Sequence, residues 1–232
     1  MSEKINKIFT KVSSHYDLMN HFFSLGIDKN WRRETVSMSI AALSKIDCPI
    51  ILDLATGTGD LAITLSKELD KSGKKYKLIA MDFNKEMLDL GKKKAILAGF
   101  DKISFEISDA MKTGYPSNYF DLVISGFALR NIDNLNIFSL ELKRIIKNNG
   151  KFIFVDMAVP DEKSKAFLFT IYSFLMRIMG FFVDRKAYFW LVSSILKFNK
   201  KRLIKILRRS GFKEIKYTEL KTGVAYIVSG RK

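Results

Sequence analysis

The sequence has few of the residues that disulfide and metal sites require. Among its 232 residues are one cysteine, Cys48, two histidines and three prolines. A single cysteine excludes an internal disulfide, and with two histidines it cannot complete the four ligands of a usual Cys/His zinc site. We therefore expect chemistry that uses no metal.

The sequence also shows neither the pattern of a secretory signal nor an apolar run long enough to span a membrane. The chain begins Met-Ser-Glu-Lys without the apolar stretch of a signal peptide, which predicts a cytoplasmic protein. The longest apolar stretch, residues 166–183, is interrupted by Arg177 and Gly180 and is shorter than the ~20 residues of a spanning helix. We expect a helix that lines a groove or touches a membrane, with an ordinary buried helix as the alternative.

Acidic residues are scarce relative to basic ones. The sequence has 40 Lys and Arg against 24 Asp and Glu, a formal charge of +16. Such a surface attracts an anionic partner, whether nucleic acid, an anionic bilayer or an acidic substrate, and charge alone does not choose among them. A generally solvated basic surface is the alternative.

The hydrophobic pattern predicts one α/β domain over residues 1–232. From Pro49, short apolar runs alternate with amphipathic segments, which indicates a doubly wound, mostly parallel sheet of seven strands. Residues 1–48 are predicted to be a helical lead-in, and residues 160–198 an inserted helical lid over the substrate. The predicted strands are 50–54, 78–81, 103–107, 120–125, 152–155, 214–220 and 224–228, with helices at 60–69, 84–98, 135–146 and 200–210 and a turn at 148–150.

The first predicted strand leads into a glycine turn and then a helix. Such a turn places a ligand over the helix N-terminus, and Gly57 and Gly59 let the backbone approach it closely. The spacing Gly57-x-Gly59-x-x-Ala62 also fits a dinucleotide fingerprint, so it is weak by itself. Asp60 in the first helical turn would repel a pyrophosphate, whereas acids nearby would pair with the ammonium of a methionine moiety. We therefore expect a cationic ligand without phosphate.

Carboxylates at the following strand ends extend this argument. Asp82 closes the second strand, where a carboxylate accepts hydrogen bonds from ribose hydroxyls. Asp109 follows the third strand and could accept from the adenine amine, with Ala110 and Met111 as apolar contacts. The set predicts S-adenosylmethionine as cofactor and a methyltransferase fold. The predicted cofactor-binding residues are Asp53, Gly57, Gly59, Asp82, Asp109, Ala110 and Ser125.

The residues at the end of the fourth predicted strand indicate which class of molecule accepts the methyl group. Nucleic-acid amino-methyltransferases usually carry a Pro-Pro-aromatic motif there, whereas this chain reads Ser125-Gly126-Phe127-Ala128-Leu129-Arg130-Asn131 and has no Pro-Pro. The thiol nucleophile of 5-methylcytosine enzymes lies downstream of this point, but Cys48 precedes the first strand. We therefore expect no nucleic-acid substrate.

Three motifs together resemble the ubiquinone/menaquinone biosynthesis C-methyltransferases. They are Tyr16-Asp17-Leu18-Met19-Asn20, the segment from Leu52 to Asp60, and Leu129-Arg130-Asn131, and the resemblance spans nearly the whole chain. It implies that Thr58 also contacts S-adenosylmethionine and that the substrate is a polyprenyl quinol. Demethylmenaquinol is the predicted acceptor, and a benzoquinol precursor of ubiquinone is the alternative. The chain departs from the family pattern at Asp28, at residues 148–150 and at Asp156.

In such enzymes the ring carbon of the quinol becomes nucleophilic when a hydroxyl, with a pKa near ~10, loses its proton. Arg130 is predicted to stabilise that oxyanion, and Asn131 to orient the hydroxyl or a water molecule. The alternatives are an ion pair of Arg130 with an acid such as Asp133, and a helix-capping role for Asn131.

Other functions and partners stay open at this stage. The basic surface would suit a methyltransferase acting on another small molecule or on RNA, or a non-catalytic S-adenosylmethionine-binding protein. Basic charge beside the apolar residues 166–183 predicts peripheral contact with an anionic leaflet at the inner face of the cell membrane. The sequence leaves open whether the protein forms a homodimer.

Overall fold

The computed structural model describes residues 10, 24, 26–221 and 223–232, with the side chains of all of these except 179–183. A seven-stranded sheet has the order β3-β2-β1-β4-β5-β7-β6. Strands β1 to β5 pair in parallel, and β7 is antiparallel to both β5 and β6. The predicted doubly wound, mostly parallel sheet is confirmed. The strands are β1 Ile50–Leu54, β2 Lys77–Asp82, β3 Ser104–Ile107, β4 Phe120–Gly126, β5 Ile146–Met157, β6 Lys213–Glu219 and β7 Ala225–Arg231.

Helices cover both faces of the sheet and bury alternate side chains of each strand. In β1, Ile51 belongs to an apolar cluster that includes residues of α1, α2, α5 and α6, whereas Leu52 and Leu54 belong to a second cluster that includes residues of α4 and α7. Strands buried on both faces need continuous apolar runs, which explains the pattern of the sequence. The helices are α1 Asp28–Leu43, α2 Asp60–Lys71, α3 Lys85–Leu97, the 3-10 helix Leu129–Asn131, α4 Leu135–Ile145, α5 Lys163–Val183, α6 Arg185–Lys197 and α7 Lys200–Arg209.

The turn predicted at residues 148–150 is wrong. Strand β5 begins at Ile146, directly after α4, and runs through this segment. Phe120 pairs with Ile146 but Leu122 already pairs with Lys151, so the extra residues of β5 form a bulge, in which Asn149 has φ +64°. Asparagine tolerates this left-handed backbone, so the chain twists within the strand without leaving the sheet.

The predicted insert over residues 160–198 is two helices. Helix α5 ends before Asp184, whose side chain accepts a hydrogen bond from the Ala187 amide and caps α6. Among the described residues, no helix is both long and apolar enough to cross a bilayer. Whether the two helices act as a substrate lid stays a prediction.

The predicted helical lead-in is described only in part. Residues 28–43 form α1, which packs against α2 and against β4 and β5. Residues 1–9, 11–23 and 25, which include the Tyr16 to Asn20 motif, lie outside the described residues, as does Thr222 in the β6–β7 connection.

Candidate active site

The carboxyl ends of β1, β2 and β4 form a crevice at the point where the strand order reverses. Ligands of doubly wound sheets bind at such a switch point. Between β1 and α2 the chain turns through Gly57 and Gly59, with φ of +59° and +79°. Both values lie in the left-handed region that favours glycine, so the turn depends on these two residues.

Asp53 fixes this turn from behind. Its Oδ2 accepts hydrogen bonds from the Thr56 hydroxyl at 2.6 Å and from the Ala62 amide at 3.0 Å. The side chain is fully buried, and within the described part of the chain its Oδ1 has no hydrogen-bond partner. Burial raises the pKa of Asp53 to about 7. The residue holds the loop and lines neither of the cavities described below.

Asp82 connects the second strand to the same turn. One carboxylate oxygen accepts a hydrogen bond from the Gly57 amide at 2.8 Å and the other from the Asn84 amide at 2.9 Å. Burial raises the pKa of Asp82, and these backbone hydrogen bonds oppose the rise. The carboxylate therefore positions the turn while it faces the crevice.

Two adjoining cavities make up the crevice, and both include Ala55, Asp82 and Phe83. The first has apolar walls and one further carboxylate, Asp109, whose Oδ1 accepts from the Met111 amide at 2.8 Å. The second reaches the 3-10 helix. The other residues that line the first cavity are Met81, Ser108, Ala110, Met111 and Ile132, and those of the second are Gly57, Asn84, Met87, Gly126, Phe127, Ala128 and Asn131.

Asn131 faces the second cavity with an unused acceptor. The residue is 5% exposed, and its Oδ1 has no hydrogen-bond partner among the described residues. The capping alternative is wrong, because Asn134 caps α4 by accepting from the Asn136 and Ile137 amides. A buried acceptor without a partner is costly, so a ligand donor at this position would be stabilising.

Arg130 is adjacent in sequence and makes a different set of contacts. Its guanidinium forms a buried ion pair with Asp156 on β5, and its Nε donates to Ser194 on α6 at 3.2 Å. The ion pair expected as the alternative is therefore confirmed, with Asp156 and not Asp133 as the partner. Arg130 lines neither cavity, and its Nη2 has no hydrogen-bond partner among the residues described. The buried hydroxyl of Tyr226 has no partner there either, and burial beside Asp156 raises its pKa well above the usual value.

Asp60 does not face the crevice as the sequence argument assumed. Its carboxylate forms ion pairs with Arg32, at 3.2 Å, and with Lys94. It lines a separate groove of 870 Å³ between α1 and α2, which also contains Arg33 and Lys67. The ammonium group of the predicted ligand would therefore need acceptors in the crevice other than the Asp60 carboxylate.

The predicted cofactor residues fall into two groups. Gly57, Asp82, Asp109 and Ala110 line the cavities. The second group shapes the walls from behind: Asp53, Thr58, Gly59 and Ser125. Among these, Ser125 donates to the Leu54 carbonyl at 2.7 Å and joins β4 to β1. Direct contact of the second group with the cofactor stays a prediction.

Comparison with known proteins decides the family. The sequence matches the ubiE/COQ5 methyltransferase family over residues 1–232. The chain belongs to this family. The ubiquinone/menaquinone biosynthesis C-methyltransferase UbiE of Rickettsia prowazekii is 34% identical over 98% of this chain and 92% of its own. The demethylmenaquinone methyltransferase of Bacteroides fragilis is 30% identical over 100% of this chain and 93% of its own.

Solved structures show the same fold at low identity. The DszA carbon methyltransferase has a TM-score of 0.67 at 15% identity and covers 93% of this chain and 57% of its own. A SAM-dependent methyltransferase from Aquifex aeolicus has a TM-score of 0.60 at 18% identity, and the match covers 84% of this chain and 88% of its own. With the family match, these findings confirm the fold and S-adenosylmethionine as the cofactor. The residues of the crevice suit this cofactor chemically, because Asp82 offers acceptors beside apolar side chains.

Sequence reasoning missed several residues that build this crevice. Phe83 and Phe127 line it without any motif of their own. Asp156 was noted only as a departure from the family pattern, although a charged residue inside an apolar strand run also signals a buried partner. Which cation pairs with it depends on packing, so the sequence could not identify Arg130.

Proposed function

We propose that the protein transfers a methyl group from S-adenosylmethionine to a ring carbon of a polyprenyl quinol. Demethylmenaquinol is the first candidate acceptor and a benzoquinol precursor of ubiquinone the second, since the relatives' names include both pathways. The observation that carries the proposal is Asn131. Its buried, unpartnered Oδ1 borders the cavity that holds Gly57 and Asp82.

The first cavity supplies the cofactor contacts. Asp82 accepts hydrogen bonds from the ribose hydroxyls, and Ala110, Met111 and Ile132 pack against the adenine. When bound, S-adenosylmethionine supplies an electrophilic methyl group on its sulfonium. The protein's part is then to position a nucleophile and exclude competing ones.

The 3-10 helix supplies the contacts to the acceptor. Asn131 accepts a hydrogen bond from the quinol hydroxyl, or from a water molecule that takes its proton. Arg130 offers its Nη2 to the developing oxyanion, which lowers the pKa of the hydroxyl. Because Asp156 neutralises the guanidinium charge, Arg130 acts here as a directed N–H donor, and Ser194 helps to fix its orientation.

The test is methyl transfer from labelled S-adenosylmethionine to each reduced quinol, assayed separately. We expect label in at least one quinol, and Asn131→Ala to lower turnover roughly ten- to hundredfold through loss of a buried hydrogen bond. The matched control is Asn134→Ala, which loses the α4 cap and about 1 kcal/mol of stability but keeps turnover. Label in RNA and in neither quinol would contradict the proposal.

We place this activity in the cytoplasm, at the inner face of the membrane that contains the acceptor. A polyprenyl quinol partitions into the bilayer, so the protein reaches this acceptor by peripheral contact with the membrane surface. The positive net charge of +16 supports contact with an anionic leaflet.

A further inference from the structure

Helix α5 is apolar on two opposite faces. The inner face packs on the protein through Phe169, Ser173 and Met176, each 3% exposed. The outer face carries six large apolar side chains that are between 44% and 66% exposed. They are Phe167, Leu168, Ile171, Phe174, Leu175 and Ile178, which we call the outer stripe.

The outer stripe is continuous. At 100° per residue its six positions fall within an arc of about 120°, centred opposite the buried face. It extends from residue 167 to residue 178, about 16 Å along the helix axis. Apolar side chains scattered singly on a surface need no explanation, but a contiguous stripe marks an interaction site.

The neighbouring helix widens this surface. Phe189 on α6 is 58% exposed, and the Arg177 guanidinium lies 5.1 Å from the centre of its ring. Arg177 sits at the edge of the outer stripe, so a cation borders the apolar surface. Its long side chain can keep the charge at a polar boundary while its methylenes stay apolar.

Charge at this surface is mainly positive. From Asp161 to Lys197 the sequence has six Lys and Arg residues and three acidic residues, Asp161, Glu162 and Asp184, and Glu162 forms an ion pair with Lys165. A helix that combines an apolar face with flanking cations suits the boundary between headgroups and acyl chains of an anionic bilayer. A second copy of this chain would bring the same cations against these, so the charge favours lipid over self-association.

We propose that the outer stripe of α5 inserts into the surface of an anionic bilayer, with the helix axis parallel to the membrane. Insertion places α6 beside the headgroups, and α6 reaches the 3-10 helix through the Ser194–Arg130 hydrogen bond. The docked surface is thus connected to the acceptor side of the crevice. Delivery of a lipid-anchored acceptor rests on the proposed function, whereas docking does not.

The experiment compares full-length wild type with the double variant Phe167→Glu/Phe174→Glu. The matched control is Ile137→Glu/Leu140→Glu on α4, where the two side chains are 50% and 62% exposed. Binding is measured by sedimentation with vesicles of phosphatidylcholine containing phosphatidylglycerol and with pure phosphatidylcholine. We expect wild type and control to bind the anionic vesicles, and the double variant to bind at least about tenfold more weakly.

A conservative variant covers the case in which the double variant does not fold. Phe174→Trp should be quenched by brominated lipid in anionic vesicles, whereas Ile137→Trp, corrected for the native tryptophans, should not. Equal vesicle binding by all proteins, or no quenching at position 174, would overturn the proposal. So would a dimer in light scattering that dissociates in the double variant while neither protein binds vesicles, because a second copy would then cover the stripe.

The reaction gives a separate readout. On a short-chain, water-soluble quinol without vesicles, the double variant should turn over as wild type does. Vesicle binding that depends on the outer stripe, without methylation of any quinol, would leave the docking surface supported and overturn the proposed function.

Discussion

Burial changes the ionisation of single side chains in this protein, and Asp53 is the clearest case. Its Oδ2 holds the glycine turn, but its Oδ1 is buried without a partner among the described residues. A carboxylate in this position is poorly solvated, so its pKa rises from 3.8 to about 7. Near neutral pH the turn is therefore held by a group that is partly protonated.

This predicts a pH-dependent stability. Because the folded protein binds the Asp53 proton more tightly than the unfolded chain does, stability should fall as pH rises from about 4 to about 7 and then level off. Asp53→Asn should flatten that decline, seen as a smaller drop in Tm between pH 5 and pH 8. The control is Asp101→Asn at an exposed position, and the same decline in both variants would refute this assignment.

The buried pair of Arg130 and Asp156 predicts a large stability effect. Arg130→Met leaves Asp156 buried and unpaired, which should cost about 3–5 kcal/mol of unfolding free energy in urea denaturation. The double variant Arg130→Met/Asp156→Leu should recover much of this loss, because no charge is then left buried. Two additive losses would mean that the pair is not coupled.

The proposed catalytic role of Arg130 has to be tested by a measurement that does not change with the stability of the protein. Arg130→Lys retains a cation for Asp156 but loses the planar fork that reaches Ser194. We expect lower turnover at neutral pH, with partial recovery in alkaline buffer as the quinol hydroxyl ionises without help. An unshifted pH–rate profile at full specific activity would make the residue purely structural.

At the scale of elements, α3 approaches the glycine turn unusually closely. A Cβ at Gly91 would lie 2.9 Å from the carbonyl carbon of Thr58 and 2.9 Å from the Phe105 ring. The backbone at Thr58 cannot yield as a flexible side chain could. The backbone of helix α3 is thus in close contact with the backbone of the glycine turn between β1 and α2.

Gly91→Ala tests which of two opposed effects wins. Alanine in a helix interior is normally favoured over glycine by about 0.8–1.0 kcal/mol. Here we expect the clash to outweigh that gain, so that Tm falls and the Kd for S-adenosylmethionine rises. Lys92→Ala, an exposed neighbour on the same helix, is the control. A more stable Gly91→Ala with unchanged affinity would contradict the close packing.

At the scale of the whole molecule, cofactor binding should couple to folding. A ligand at 100 times its Kd stabilises the folded state by about 2.7 kcal/mol, which for a domain of this size raises Tm by roughly 5–10 °C. Asp82→Asn should reduce this shift, because one acceptor oxygen facing the crevice is lost. Asp89→Asn, exposed on α3, should keep it in the same thermal-shift assay. Equal shifts in both variants would remove Asp82 from the ribose contact.

The sequence by itself determined the order of strands and helices and the strand-end positions of Gly57, Asp82 and Asp109. These follow from hydrophobic periodicity and from turn residues, which are local properties of the chain. The parallel sheet then brings the carboxyl ends of its strands to one edge. The fold and the edge of the sheet at which the cofactor crevice lies could therefore be predicted without coordinates.

Only the tertiary structure decided which partners the buried charges take and which helix faces stay uncovered. Arg130 pairs with Asp156 and contacts Ser194, which are distant in sequence, and Asp60 turns away from the crevice towards Arg32 and Lys94. Likewise, the apolar residues of α5 look alike in sequence, yet packing buries one face and leaves the other exposed. Pairing and burial depend on the direction in which packed elements face each other, and this is not a local property of the sequence.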